Sequence, residues 1–307
     1  MIENSLWVEA FRPSTLDGYI GNESMVSKFK MYIKNNDVPH LLLYGPAGTG
    51  KTTAAKILAK GLDADILYIN ASDENNIDTV RDKIKGFASS MGMHRWKIVI
   101  LDEADHITTQ AQAALRNLME TFSNTCRFIL TCNYIEKMLA PIRSRCQEFN
   151  ITPPDKKSVA MRLKSILDER KIKYDLTDLV HIIDTAYPDI RKVINTTQSH
   201  ILDGTLKVDK NDRMILSYMD SLLSELKAKS DMKTKFKNVR QIIADSRVKD
   251  FTSLYRFLFD NLDDFAIGHV AGVILLIADA QYKDSFVVDK EVNVMAMFVN
   301  ILNELNT

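Results

Sequence analysis

Eight consecutive residues, Gly45-Pro46-Ala47-Gly48-Thr49-Gly50-Lys51-Thr52, fit the pattern G-x-x-x-x-G-K-[ST]. They follow an apolar run and open a helical pattern, the context the motif needs. Glycines let such a loop turn its backbone N–H groups toward phosphate, and the helix N-terminus adds a dipole that favours negative charge. Lys51 is placed to reach β- and γ-phosphates. The Thr52 hydroxyl is placed to ligate Mg²⁺, and Thr53 to contact the α-phosphate.

A second group begins about fifty residues later, in Lys97-Ile-Val-Ile-Leu-Asp102-Glu103-Ala104-Asp105. An apolar strand ending in carboxylates suits the ligand-binding edge of a parallel sheet. Asp102 can hold Mg²⁺ through water. Glu103, one residue on, points elsewhere and can orient and polarise an attacking water. Taken alone, the pair also reads as a strand ending in a solvated acidic turn; the phosphate loop upstream favours chemistry. Asn133 ends the next strand, in Thr131-Cys132-Asn133, and could help position that water or could form an Asx turn. Arg145, in Ser144-Arg145-Cys146, and Arg191, in Pro188-Asp-Ile-Arg191, carry permanent fork-shaped charge that suits a γ-phosphate. Spacing alone leaves both open as surface charges.

The elements that must position these groups alternate through the first half. Apolar runs stand at 41–44, 66–69, 98–101 and 128–131, with a weaker one at 148–151. The first four are each read as a strand covered on both faces. Helical patterns lie between them at 52–61, 79–88 and 110–122. Alternating βα units predict an α/β domain with a parallel five-stranded sheet and helices on both faces. Pro153-Pro154 ends the pattern, helical periodicity follows, and Gly204 with Asn211-Asp212 suggests a boundary near 208. The expected domains are 1–152, 153–208 and 209–307.

The 307 residues carry 40 basic and 40 acidic side chains, so bulk charge argues for no polyanion partner and any such site must be made by folding. Cys126, Cys132 and Cys146 match no common zinc spacing and are expected as buried structural thiols in a reducing compartment. The start has no basic, apolar leader pattern, so no signal peptide is expected. The apolar stretch 265–278 is too short for a bilayer and is expected as a buried helix.

Trp7-Val-Glu-Ala-Phe-Arg12-Pro13 resembles the W-V-E-K-Y-R-P box of clamp-loader small subunits. The phosphate loop, Asp-Glu-Ala-Asp, Thr-x-Asn, Ser-Arg-Cys and Asp-Ile-Arg-Lys follow in that family's order. The chain resembles AAA+ ATPases of the replication factor C small-subunit type, including the tailed-phage clamp-loader subunit, densely over residues 5–200. The resemblance implies an AAA+ P-loop domain, a small helical lid and a C-terminal helical collar, with ATP and Mg²⁺ bound. It implies that Val8, Arg12, Pro13, Ile20 and Gly21 surround the adenine. Asn133 and Arg191 would be sensors of the nucleotide, and Arg145 a finger acting on the neighbouring subunit's ATP. The four-cysteine zinc module of the bacterial type is missing from this sequence.

The implied partners are a ring-shaped sliding clamp, primer–template DNA, further copies of the chain, at least one divergent subunit and, indirectly, the replicative polymerase. No membrane is implied, and the expected location is the cytoplasm. Arg81 and Lys85, four apart on one helix face, suit a DNA backbone. Met91, Met93 and Trp96 are expected to touch the clamp or, on the plainer reading, to pack internally. Asn75 stands where the family has a basic residue implicated in coupling DNA to the catalytic glutamate. Tyr187-Pro188 replaces the usual glycine before the second sensor, and Ala10-Phe11 replaces Lys-Tyr. The expected function is ATP-driven loading of a sliding clamp. The alternatives are an AAA+ DNA translocase or helicase motor of the branch-migration type and a non-catalytic scaffold subunit.

Overall fold

The computed structural model describes residues 6–306 except 74–76, 209, 229, 247 and 249; for 77–80 and 210–217 only the backbone is described. Asn75 therefore lies outside the described residues. The chain forms two compact units, residues 1–207 and 208–307.

The first unit opens with α1 (Trp7–Ala10) and α2 (Glu23–Asn35) and then alternates β1 (Leu41–Tyr44), α3 (Lys51–Gly61), β2 (Ala64–Asn70), α4 (Ile77–Ser89), β3 (Trp96–Asp102), α5 (Thr109–Thr121) and β4 (Cys126–Cys132). After α6 (Ala140–Arg143), β5 (Gln147–Asn150) closes a sheet of order β2-β3-β4-β1-β5. Every neighbour pair is parallel. Alternate residues of each strand feed opposite faces. Leu41, Leu43, Ile98, Ile100 and Ile129 join Phe29 and Leu58 on one face. Leu42, Val99, Leu101, Phe128 and Leu130 join Ile84 and Leu115 on the other.

Two expectations about the strands change. β2, β3 and β4 are seven residues long, because each continues through polar positions that the ladder accepts. β3 is buried at all seven positions, but β2 is an edge strand, and its Ile66 and Tyr68 are each 41% exposed. The run at 66–69 is thus not covered on both sides. An edge strand has only one neighbour to shelter it.

Three helices follow: α7 (Lys156–Glu169), α8 (Leu176–Ala186) and α9 (Ile190–Ser199). An aspartate N-caps each one. Asp155 accepts from the Ser158 N–H, Asp175 from Thr177 and Asp189 from Lys192, at 2.9–3.0 Å. The strand signal was expected to vanish here, yet β6 (Ile201–Leu202) and β7 (Thr205–Leu206) form an antiparallel hairpin. Asp203 and Gly204 both take positive φ, as a two-residue hairpin turn requires.

The second unit holds α10 (Lys210–Lys227), α11 (Met232–Ser246), α12 (Thr252–Asp260), α13 (Leu262–Phe265), α14 (Val270–Asp284) and α15 (Lys290–Glu304). Its core gathers Leu222, Val239, Phe251, Tyr255, Phe298 and Ile301. The stretch 265–278 is not one buried helix. α13 ends at Phe265, α14 begins at Val270, and α14 buries Val273, Ile277 and Ala280 while Leu275 stays exposed. Among the described residues no helix is long and apolar enough to cross a membrane.

Candidate functional site

The phosphate loop leaves β1 and enters α3. Gly48 has φ +74°, and a Cβ there would fall 1.9 Å from Asp189 Oδ1. Gly50 has φ +95°, and its Cβ would meet the Tyr19 ring, whose hydroxyl donates to the Thr49 carbonyl at 3.3 Å. Both glycines therefore serve the backbone turn and a close approach by another element. The Asp189 approach brings the N-terminus of α9 onto the loop. Arg191 follows from α9 and lines the same cleft.

Lys51 is buried, and its ammonium donates to the carbonyls of Gly45 (2.8 Å) and Pro46 (2.7 Å) and to Asn133 Oδ1 (2.8 Å). Burial holds its pKa below the ordinary lysine value. Thr52 Oγ1 donates to both carboxylate oxygens of Asp102, at 2.8 and 2.9 Å. Asp102 is buried and also accepts from the hydroxyls of Thr131 and Tyr68. Among the described residues it makes no salt bridge. A buried carboxylate compensated by hydroxyls alone can still take a cation.

Glu103 has φ +55°, which turns its side chain away from the direction of Asp102. Its N–H donates to Thr131 Oγ1 at 3.0 Å, so one hydroxyl bridges the two acidic residues. Asp105 Oδ2 accepts from the N–H groups of Asn133 and Tyr134, both at 3.2 Å, and fixes the end of β4.

One cleft collects most of the residues singled out from the sequence. Val8, Arg12, Pro13 and Ile20 line it from the N-terminal segment. Ala47, Gly48, Thr49, Gly50, Lys51, Thr52 and Thr53 line it from the loop. Asp102, Glu103, Asn133 and Arg191 complete it. Gly21, Gly45 and Pro46 stand behind the lining: Gly21 packs on Pro154, and the other two supply carbonyls or turns to the loop. Phe11, Tyr19, Pro154, Ile190 and Ile194 also line the cleft and were not foreseen. Their apolar, unpatterned positions carry no sequence signal. Trp7 and Phe11 pack edge to face, and the Trp7 backbone N–H donates to Gln198 Oε1 of α9, which ties the N-terminal segment to that helix.

Arg145 does not reach this cleft. It lies on the surface, paired with Glu120 and donating to the Pro141 carbonyl at 2.6 Å. Arg81 and Lys85 are exposed on α4. Buried Lys97 caps the last turn of α4, donating to the Phe87 carbonyl at 2.8 Å and also to Ser90. In the next loop Met91 and Met93 are 101% and 93% exposed. Trp96 corrects its expectation as a contact residue. It is buried, its indole N–H donates to the Asn36 carbonyl at 2.8 Å, and Arg127 stacks on its ring at 4.1 Å. Cys126 and Cys132 are buried and Cys146 partly so, all three are free thiols, and burial pushes their pKa values up to about 11, 12 and 12.

Comparison with known proteins gives this geometry relatives. Residues 41–153 match the family model "ATPase family associated with various cellular activities (AAA)". The chain is 44% identical over 205 residues to a replication factor C small subunit of Haloarcula marismortui, covering 65% of this chain and 63% of that protein. It is 44% identical over 216 residues to the corresponding subunit of Staphylothermus marinus, covering 68% and 66%. The chain thus matches slightly under two thirds of these relatives' own length. Among solved structures it is similar to the RuvB Holliday junction branch migration motor of Thermotoga maritima, with TM-score 0.54 and 17% identity, covering 82% of this chain and 79% of that one. At that identity the likeness is one of fold.

Proposed function

We propose that this chain, whose residues 41–153 form an AAA ATPase domain, is the ATPase subunit of a sliding-clamp loader. The observation that carries the reading is the convergence of Lys51, Asp102, Glu103, Asn133 and Arg191 on one cleft, in a chain similar to replication factor C small subunits. The substrate is ATP. Val8, Arg12, Pro13 and Ile20 take the base, and the loop N–H groups of 47–53 take the phosphates.

The donors fit Mg²⁺, which prefers oxygen and shares its shell with phosphates. Among the described residues no group of three or more His, Cys, Asp or Glu could hold a metal by itself, so the nucleotide would have to complete the site. Thr52 and Asp102 would hold Mg²⁺, which would supply charge neutralisation at the β- and γ-phosphates. Lys51 exchanges its carbonyl partners for phosphate oxygens. Glu103 orients and polarises the attacking water, and Asn133, held to Lys51, fixes that water's other side. Arg191 reads the γ-phosphate from α9. Arg145, pointing away from its own cleft, completes the site of a neighbouring copy.

The helices and hairpin of 153–208 act as the lid, and 209–307 as the collar that joins copies and a divergent subunit. Arg81 and Lys85 track primer–template DNA. Met91 and Met93 meet the clamp, and a cytoplasmic place with replicating DNA follows. ATP binding opens the clamp, and hydrolysis on DNA releases it for the polymerase. A scaffold role fits poorly, because every position of the catalytic set is filled. A motor role would rest on the RuvB fold likeness alone.

The test is steady-state ATP turnover with candidate clamp and partner subunits, with and without primed DNA. Stimulation by primed junctions beyond that by single strands is expected. Stimulation by any duplex without the clamp would instead indicate a motor.

A further inference from the structure

Tyr68 is a residue of the apolar run in β2 that no motif includes. Its hydroxyl donates to Asp102 Oδ2 at 2.7 Å. β2 pairs with β3 in the register Tyr68↔Ile100 and Asn70↔Asp102, so its side chain leaves the sheet on the same face as that of Asp102. Asp102 then accepts hydroxyl bonds from three separate elements: Thr52 of α3, Thr131 of β4 and Tyr68 of β2. Thr52 and Thr131 share Oδ1, while Tyr68 joins Thr52 at Oδ2. Three donors from three directions fix the plane of a carboxylate more strictly than two.

Two further features mark the phenol as more than edge-strand filling. Lys56 Nζ lies 4.2 Å from the ring centroid. A cation over the ring draws density from it and strengthens the O–H as a donor. Yet Tyr68 is 41% exposed, far more than a core tyrosine would be.

We infer that Tyr68 is a positioning residue for the divalent cation: its hydroxyl locks the Asp102 carboxylate in the orientation that receives Mg²⁺ with the nucleotide. The inference rests on the reading of the cleft as an ATP site. Tyr68 acts through Asp102 and touches neither phosphate nor metal. Removing its hydroxyl leaves Asp102 held by Thr52 and Thr131 alone, with its plane less strictly fixed, so the cost falls on the metal-linked part of binding. The nucleotide's own contacts with the loop and with Lys51 are unaffected.

The experiment measures binding of a fluorescent, non-hydrolysable ATP analogue to the full chain, once with Mg²⁺ and once with EDTA. The quantity read is the ratio of the two affinities. Wild type should bind more tightly with Mg²⁺. Tyr68→Phe keeps the ring and the Lys56 contact, and should lower that ratio by about fivefold, the effect of one charge-assisted hydrogen bond at a half-exposed site. Its affinity in EDTA should stay at the wild-type value. Lys56→Met, which leaves the hydroxyl in place, should lower the ratio by a smaller factor. An unchanged ratio in Tyr68→Phe overturns the inference. So does an equal loss of affinity with and without Mg²⁺, which would make Tyr68 a general support of the pocket. Failure of wild type to bind the analogue at all would overturn the ATP-site reading, and this inference with it.

Discussion

Asp102 in the first unit and Asp284 in the second are both buried carboxylates that accept a hydrogen bond from a tyrosine hydroxyl. Their other partners differ. Asp284 takes the Tyr255 hydroxyl at 3.1 Å and pairs with Lys290 Nζ at 2.9 Å, and Asn293 donates to Tyr255 behind it. That charge is neutralised by a partly exposed lysine, and the group ties α12, α14 and α15 together. Asp102 has three hydroxyls and, among the described residues, no salt bridge. Hydroxyls orient a carboxylate without cancelling its charge. One acid is closed and supports structure; the other keeps its charge uncancelled, as the proposed Mg²⁺ site needs.

The same contrast extends to the residues around each acid. Lys51 rests on loop carbonyls and on Asn133 and has no acidic partner within salt-bridge reach among the described residues. Groups of the cleft are therefore expected to cost function when removed, and groups of the helical unit to cost stability. Glu103→Gln should give the largest effect: ATP turnover falls by about a thousandfold while nucleotide still binds, as a turnover assay beside a filter-binding assay would show. Retained turnover would remove Glu103 as the water-orienting group. Lys51→Ala comes next, with a loss of about a hundredfold in nucleotide affinity from a lost charge-assisted contact, read by titration. Its melting temperature should hardly move.

On the structural side the order reverses. Asp284→Ala should lower unfolding free energy by about 2 kcal/mol, since it strands the buried Tyr255 hydroxyl, with nucleotide affinity untouched. Chemical denaturation separates the two readouts. Tyr255→Phe should cost about 1 kcal/mol by the same method, because Asp284 keeps Lys290. If Tyr255→Phe changed nucleotide affinity instead, the two acids would not differ in the way proposed.

Legibility in the sequence follows this division. The phosphate loop and the Asp102-Glu103 pair could be read directly, because a loop that binds phosphate needs glycines and lysine at fixed spacing. The central strands β1, β3 and β4 could be read because a strand covered on both faces demands an apolar run; the edge strands β2 and β5 rest on half-exposed or weaker runs. Tyr68 and Thr131 could not, since each sits inside such a run and looks like strand packing; only the register shows that they converge on Asp102. Gly48 reads as a phosphate-loop glycine, but its contact with Asp189 is a tertiary fact. Trp96 stays open in the sequence because an aromatic near two methionines has the same composition on a surface as in a core; Arg127 and the Asn36 carbonyl decide for the core. The hairpin at 201–206 did carry a signal, Asp203-Gly204, of which only Gly204 enters the reading above, as part of a boundary near 208. The second unit has no motif, so periodicity gave its class and nothing of the Asp284–Lys290 pair.

The most direct test of the contrast is thermal denaturation of wild type, Asp102→Asn and Asp284→Asn, each with Mg²⁺ alone, ATP analogue in EDTA, and both together. A ligand that binds only the folded chain raises the melting temperature. The account predicts that wild type and Asp284→Asn gain most from the combination and little from Mg²⁺ alone, from a lower starting point in Asp284→Asn. Asp102→Asn should start near wild type and lose the Mg²⁺-dependent part of the gain. An equal gain in Asp102→Asn and wild type would contradict the account.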